Sequence, residues 1–283
     1  QKQNMSILIL AIISAMASVL FSFMGAPFMR ALFVSTKSRV FWTTAILLVG
    51  AMFVAGLANY KISETAVYVG AIWMTLGAYS ELEKRGVNWR IASAMSLGAG
   101  LLFALAGYFL ILKNLTTTDT LAETVEPLRI AMNKAFPDNT LEPGALVKYL
   151  PGIFVASLFG SLALSFAFEA KVTKMFRIQR ERIASGLRWL EFRISNTIVW
   201  LTLISLMSVG LNLNNELIKT ISINFLIVVT VALFFQGFAV VEFMIRFYRF
   251  GVFTRTMTYI LIILQLAHFF VFVGFVDYWA DFR

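Results

Sequence analysis

The chain has 283 residues, of which 59% are hydrophobic and 14% charged, with a formal net charge of +9, one histidine and no cysteine. Soluble domains carry about 25% charged residues, so this composition and a mean hydropathy of +0.81 describe an all-α polytopic membrane protein and exclude an ordinary soluble enzyme. The missing cysteine excludes disulfides, thiol nucleophiles and thiolate metal sites.

Residues 5–24 are long enough to span a bilayer, and no small-residue cleavage site follows them, so the stretch is expected to stay as a span. Gly25, Ala26 and Pro27 then break the helix. Phe28 to Thr36 is apolar apart from Arg30 and too short to cross; it either lies in the interface or dips in as a half-helix packed against protein. Further spans read at 40–60, 65–82, 90–112, 149–169, 197–211, 220–245 and 257–276, about eight in all within a single membrane domain. Two connections carry structure of their own. Residues 114–148 place Leu121, Val125, Leu128, Met132 and Phe136 at helical spacing between prolines, which predicts short amphipathic helices on the outer leaflet. Residues 171–193 interleave Val172, Phe176, Ile183, Leu187 and Leu190 with Lys171, Lys174, Arg177, Arg180, Arg182 and Arg188, and Trp189 falls at headgroup level. That pattern predicts contact with anionic lipid or with a partner protein.

Counted alternately, the connections collect 16 of the 24 Lys and Arg on one side, around 30–39, 84–90, 171–193 and 246–255. The positive-inside rule makes that side cytoplasmic and the C-terminus extracytoplasmic, with the side of the N-terminus depending on whether residues 25–36 cross. The positive charge is thus loop asymmetry, and no nucleic-acid partner is expected.

Polar groups within spans are costly and mark candidate sites. Gln236 lies deep in the span 220–245 with no partner in its own helix. Gln265 and His268, three apart, share a face of the last span. The three are the tentative ligand-binding set. Glu242 and Arg246, four apart, read as a structural ion pair at the cytoplasmic boundary. Glu81, Glu83, Glu191 and Asn196 are placed at the water interface, and the Asp277, Tyr278, Trp279 and Asp281 cluster is read as interfacial anchoring. A lone histidine gives no metal site, and no cofactor is expected. No P-loop, HExxH or GxSxG motif occurs, and the spans show neither paired carboxylates nor a nucleophile with its base, so no enzymatic activity is expected.

Two stretches, FFQGFAVVEFMI (234–245) and GFVDYWADFR (274–283), resemble the YybS-like family of predicted bacterial inner-membrane proteins, which has a similar length and span count. The Pro27 break is similar too. The resemblance implies a bacterial cytoplasmic-membrane protein, distantly like the substrate-binding subunits of energy-coupling-factor transporters and the rod-shape protein MreD. The segment 114–148 departs from those smaller subunits. Two expectations follow: a non-enzymatic subunit that binds a small molecule or lipid, in a transport role, or a structural or assembly partner of other membrane protein subunits in an envelope or motor complex.

Overall fold

The structure, a computed structural model, describes residues 2–57, 60–112, 126, 130, 143–178, 190, 192–211, 215–249, 251, 254, 257 and 267–283. Every regular element among them is helical: α1 (Lys2–Phe21), a 3-10 turn (Ser22–Gly25), α2 (Ala26–Ser35), α3 (Ser38–Gly56), α4 (Tyr60–Lys84), α5 (Trp89–Gly107) with a π turn (Tyr108–Leu112), α6 (Pro143–Met175), α7 (Asn196–Gly210), α8 (Glu216–Phe247) and α9 (Ala267–Ala280). Five runs are long and apolar enough to cross a membrane: Met5–Ser35, Ser38–Gly56, Trp89–Leu110, Val147–Met175 and Glu216–Phe247. Of the last span read from the sequence, 257–276, only 257 and 267–276 lie among the described residues. Beyond Glu126 and Ile130, the amphipathic segment 114–142 lies outside the described residues, as does most of 179–191.

Where the sequence reads as one membrane domain, the chain divides into two compact units, Gln1–Leu150 with Gly160–Ser185, and Pro151–Phe159 with Gly186–Arg283. In the first unit α4 is the central helix, burying Ala66, Val69, Ala71, Ile72, Trp73, Leu76 and Tyr79. A helix surrounded by protein needs no lipid-facing apolar stripe, which is why α4 is less apolar than the five candidate crossings. Trp73 Nε1 donates to Ser18 Oγ at 3.1 Å, tying α4 to α1, and the Trp73 ring packs 4.7 Å from Phe41 of α3.

The ambiguous stretch after α1 resolves as a buried half-helix. Ser22 takes a positive φ of 47°, and a Cβ on Gly25 would lie 2.8 Å from backbone atoms of Ala17 and Ser18, so the chain doubles back against α1. Only glycine permits that approach. Pro27 in the first turn of α2 costs no hydrogen bond there. Nine of the ten residues of α2 are buried, Arg30 among them. An interfacial helix would leave one face in water, and α2 leaves none.

In the second unit α7 and the described part of α9 lie along α8, which with 32 residues reaches nearly 50 Å. α7 runs beside the first part of α8, where Ser222 Oγ donates to Ser208 Oγ at 3.1 Å. α9 runs beside the later part, where Gly237 and Gly274 face each other. A Cβ on Gly237 would collide with the carbonyl of Phe270, and one on Gly274 with the carbonyl of Leu233. The backbones of α8 and α9 therefore touch, a close approach that small residues allow and that drives helix association in lipid.

The start of α7 and the end of α9 meet α8 near Gln236, and Arg283 bonds the carbonyls of Leu190 and Phe192 there.

Replacing Gly237 or Gly274 with alanine forces α8 and α9 apart and is expected to cost about 1–3 kcal/mol. Gly98→Ala, at a position with open space around it, is the control. Thermal unfolding in detergent should show lowered midpoints for the first two variants and little change for the third.

Candidate functional site

The first unit places a guanidinium between two carboxylates. Arg30 Nη2 meets Glu83 Oε2 at 2.7 Å and Arg30 Nε meets Glu169 Oε2 at 3.0 Å, while Nη1 donates to Ser80 Oγ at 3.1 Å. Side-chain exposures of 1%, 8% and 4% for Arg30, Glu83 and Glu169 make this a dry cluster. The guanidinium carbon also lies 4.6 Å from the Phe166 ring centroid and 5.3 Å from that of Tyr79, whose rings meet edge to face. Charge-assisted hydrogen bonds and ring faces together replace the water that Arg30 gives up.

Three helices supply the cluster. α2 delivers Arg30 because its own faces are all buried, and α4 presents Tyr79, Ser80 and Glu83 along one face through their i, i+1 and i+4 spacing. α6 contributes Phe166 and Glu169, three apart and on one face. Glu83 is in the last turn of α4 and Glu169 within two turns of the end of α6, so the cluster lies just inside one membrane boundary.

This arrangement corrects two readings made from the sequence. Glu83 is not at the water interface, because its carboxylate is held inside the unit by Arg30. Paired carboxylates are present as well, since Glu83 and Glu169 share a single cation although 86 positions separate them. Glu169 carried no spacing signal of its own. Its one mark was position, an acid in the apolar run SFAFEAKV, just as Arg30 is a lone base in the run 28–36.

The second unit holds a different polar cluster. Gln236 is 1% exposed; its Oε1 accepts from the Ile194 amide at 3.0 Å and its Nε2 donates to Asp277 Oδ2 at 3.0 Å. Asp277 is buried, not interfacial, and also accepts from Arg283 Nη2 at 2.8 Å and from the Phe282 amide at 3.3 Å. Arg193 donates to the Asp277 carbonyl at 2.9 Å and pairs with Asp281 at 2.9 Å. Two bases meet two acids, so the side-chain charges balance. Most of these bonds end on backbone groups of 190–194 and 277–282, where helices stop and leave donors and acceptors unpaired. In lipid such groups must be satisfied internally. The clasp is therefore a device for ending two helices beside a third.

Of the ligand-binding set, Gln236 is bonded into the clasp, His268 is exposed and Gln265 lies outside the described residues. Arg246 Nε donates to Glu242 Oε1 at 2.7 Å within α8. Lys171, Lys174 and Arg177 are exposed on the last turns of α6 and just beyond, while Arg180, Arg182, Arg188 and Trp189 lie outside the described residues. No group of three or more His, Cys, Asp or Glu suited to a metal ion occurs among the described residues.

Residues 138–278 match a protein-family model described as a predicted membrane protein (DUF2232). The matched region contains Glu169, Gln236 and Asp277 and stops short of Arg30 and Glu83. No curated protein and no solved structure matches the chain. With its apolar helices, the match identifies an integral membrane protein.

Removing Arg30 breaks its buried ion pairs with Glu83 and Glu169, a loss of about 3–5 kcal/mol. Arg30→Met is expected to unfold at markedly lower temperature in detergent, and the triple variant Arg30→Met, Glu83→Gln, Glu169→Gln to recover much of the difference. In the second unit Gln236→Leu strands the Ile194 amide and should cost about 1–3 kcal/mol in the same assay.

Proposed function

We propose that this protein is a non-enzymatic integral membrane subunit that binds a small solute among its helices in a transport role, with the Arg30 cluster of the first unit as its binding element. The observation that supports this reading is the burial of three ionisable side chains, Arg30, Glu83 and Glu169, among the helices of one unit. Ionisable groups are costly inside membrane segments, and those retained there mark solute and ion paths.

A second reading, an assembly partner in an envelope or motor complex, draws support from the exposed bases Lys171, Lys174 and Arg177, which offer a basic surface to anionic lipid or to an acidic partner. The resemblance to the YybS-like family, and more distantly to energy-coupling-factor subunits and MreD, accords with either role. It also accords with a bacterial cytoplasmic membrane, with the arginine-rich ends of α2, α4 and α6 facing inward.

Purification from native membrane in mild detergent separates the two. The transport reading expects a small molecule to accompany the wild type in near-stoichiometric amount and to be lost from Glu169→Gln, whose thermal midpoint stays close to the wild-type value. Recovery of a stoichiometric protein partner with no small molecule overturns that reading in favour of assembly.

A further inference from the structure

The end of α6 carries a charged residue where the backbone favours glycine. Two bonds wind the chain back over the last turn of the helix: the Ile178 amide donates to the Thr173 carbonyl at 3.1 Å, and the Arg177 amide to the Lys174 carbonyl at 3.1 Å. Between them Arg177 takes a φ of 52°. Glycine is the usual residue at this position, because a Cβ makes the left-handed conformation costly. In the same unit α4 ends with the same pair of bonds, Val87 to Leu82 and Gly86 to Glu83, and there the left-handed residue is Gly86. Ile178 is buried and the Phe176 ring meets Phe28 of α2 at 6.4 Å, so the turn is held against the unit while the Arg177 side chain stays exposed.

The surroundings of Arg177 are both basic and apolar. Glu83 and Glu169 bond one guanidinium, which sets the ends of α4 and α6 at one level of the unit. Just past that level Lys84, Arg85 and Arg90 follow on α4 and the start of α5, and Lys171, Lys174 and Arg177 follow on α6; all six are exposed. Of the acids on the same turns, Glu83 and Glu169 are buried and Glu81 is half-buried. Met175 is 69% exposed among these bases, and the Lys171 amine lies 4.9 Å from the Phe168 ring centroid.

Bases that reach outward from among exposed apolar side chains at the end of a membrane helix meet headgroup phosphates, with acyl chains covering the apolar part. A guanidinium suits a phosphate in particular, since its fork of N–H donors matches two phosphate oxygens. We propose that Lys171, Lys174 and Arg177 at the end of α6, with Lys84, Arg85 and Arg90 at the same level, bind the phosphate headgroups of anionic phospholipids, and that Arg177 occupies a glycine-type position for the sake of this contact. The surface lies on the outside of the first unit and is independent of any solute at the Arg30 cluster.

The test compares thermal midpoints of the full chain in nanodiscs of phosphatidylcholine alone and of phosphatidylcholine mixed with phosphatidylglycerol. In phosphatidylcholine Arg177→Gly should unfold at the wild-type midpoint or a few degrees above it, since glycine adopts the left-handed conformation without steric cost. Phosphatidylglycerol should raise the wild-type midpoint, an effect that fades at high salt, and should raise those of Arg177→Gly and of the double variant Lys171→Gln, Lys174→Gln by no more than about half as much. The order of wild type and Arg177→Gly therefore narrows or reverses between the two bilayers, which an arginine with a purely structural role does not produce. Lys61→Gln, which removes an exposed base at the opposite end of α4, is the control and should respond as the wild type does. The proposal is overturned if phosphatidylglycerol shifts all four proteins equally, or if Arg177→Gly unfolds below the wild type in phosphatidylcholine. It is overturned in favour of an acidic protein partner if Arg177→Gly keeps the full response to phosphatidylglycerol and loses a stoichiometric protein that accompanies the wild type from native membrane.

Discussion

The fold of the first unit depends on a cation that cannot be left unpaired. Arg30 sits in a ten-residue helix with almost no exposed surface, and a lone guanidinium in such surroundings would cost several kcal/mol. Glu83 from α4 and Glu169 from α6 meet it from separate helices, with Ser80 taking the third nitrogen. Each of those helices is thereby fixed in rotation and height. The sharp return at Ser22 to Gly25 follows from the same constraint, because only a chain that doubles back against α1 brings position 30 into the interior. Hydrophobic packing cannot set such a register in lipid, where an apolar side chain gains little by exchanging tails for protein.

The second unit solves a different problem with similar materials. α7 begins and α9 ends beside α8, and the backbone groups freed there are bonded by Gln236, Asp277, Arg193 and Arg283. The Gly237 and Gly274 contact brings the backbones close enough for Gln236 to reach Asp277. Gln236–Gly237 and the Gly274 to Asp277 spacing are therefore one mechanical unit, glycines setting the distance and polar side chains closing it. The two clusters differ in what they bond. The clasp bonds mainly to backbone. The Arg30 cluster bonds side chain to side chain, and beside it the Tyr79 hydroxyl has no partner among the described residues.

Much of the architecture was legible in the sequence because hydrocarbon imposes a length and a polarity on whatever crosses it. The long apolar helices, the break at Pro27 and the Glu242 with Arg246 spacing are all local properties of short windows. What escaped was the pairing of distant charges. Arg30 read as one more base on the cytoplasmic side and Glu83 as an interfacial acid, because a window around either shows charge near a helix end and nothing more. Glu169 becomes meaningful only when α6 is folded against α2, 139 positions away in the chain. Gln236 was legible in its depth, but its bonds go to a main-chain amide and a carboxylate at the end of another helix, and no periodicity reveals those.

The central claim, that α2 is enclosed on every face and carries its charge into the protein, is tested most directly by thiol accessibility, for which the cysteine-free chain is suited. Single cysteines at Met29, Leu32, Phe33 and Val34 cover the circumference of the helix, and Lys37, exposed just beyond it, serves as the reactive reference. In the folded protein, all four should resist a small permeant maleimide that labels position 37 readily, and all four should become reactive on denaturation. Labelling that rises and falls with helical period along α2 would mean that one face meets water, and would contradict the account.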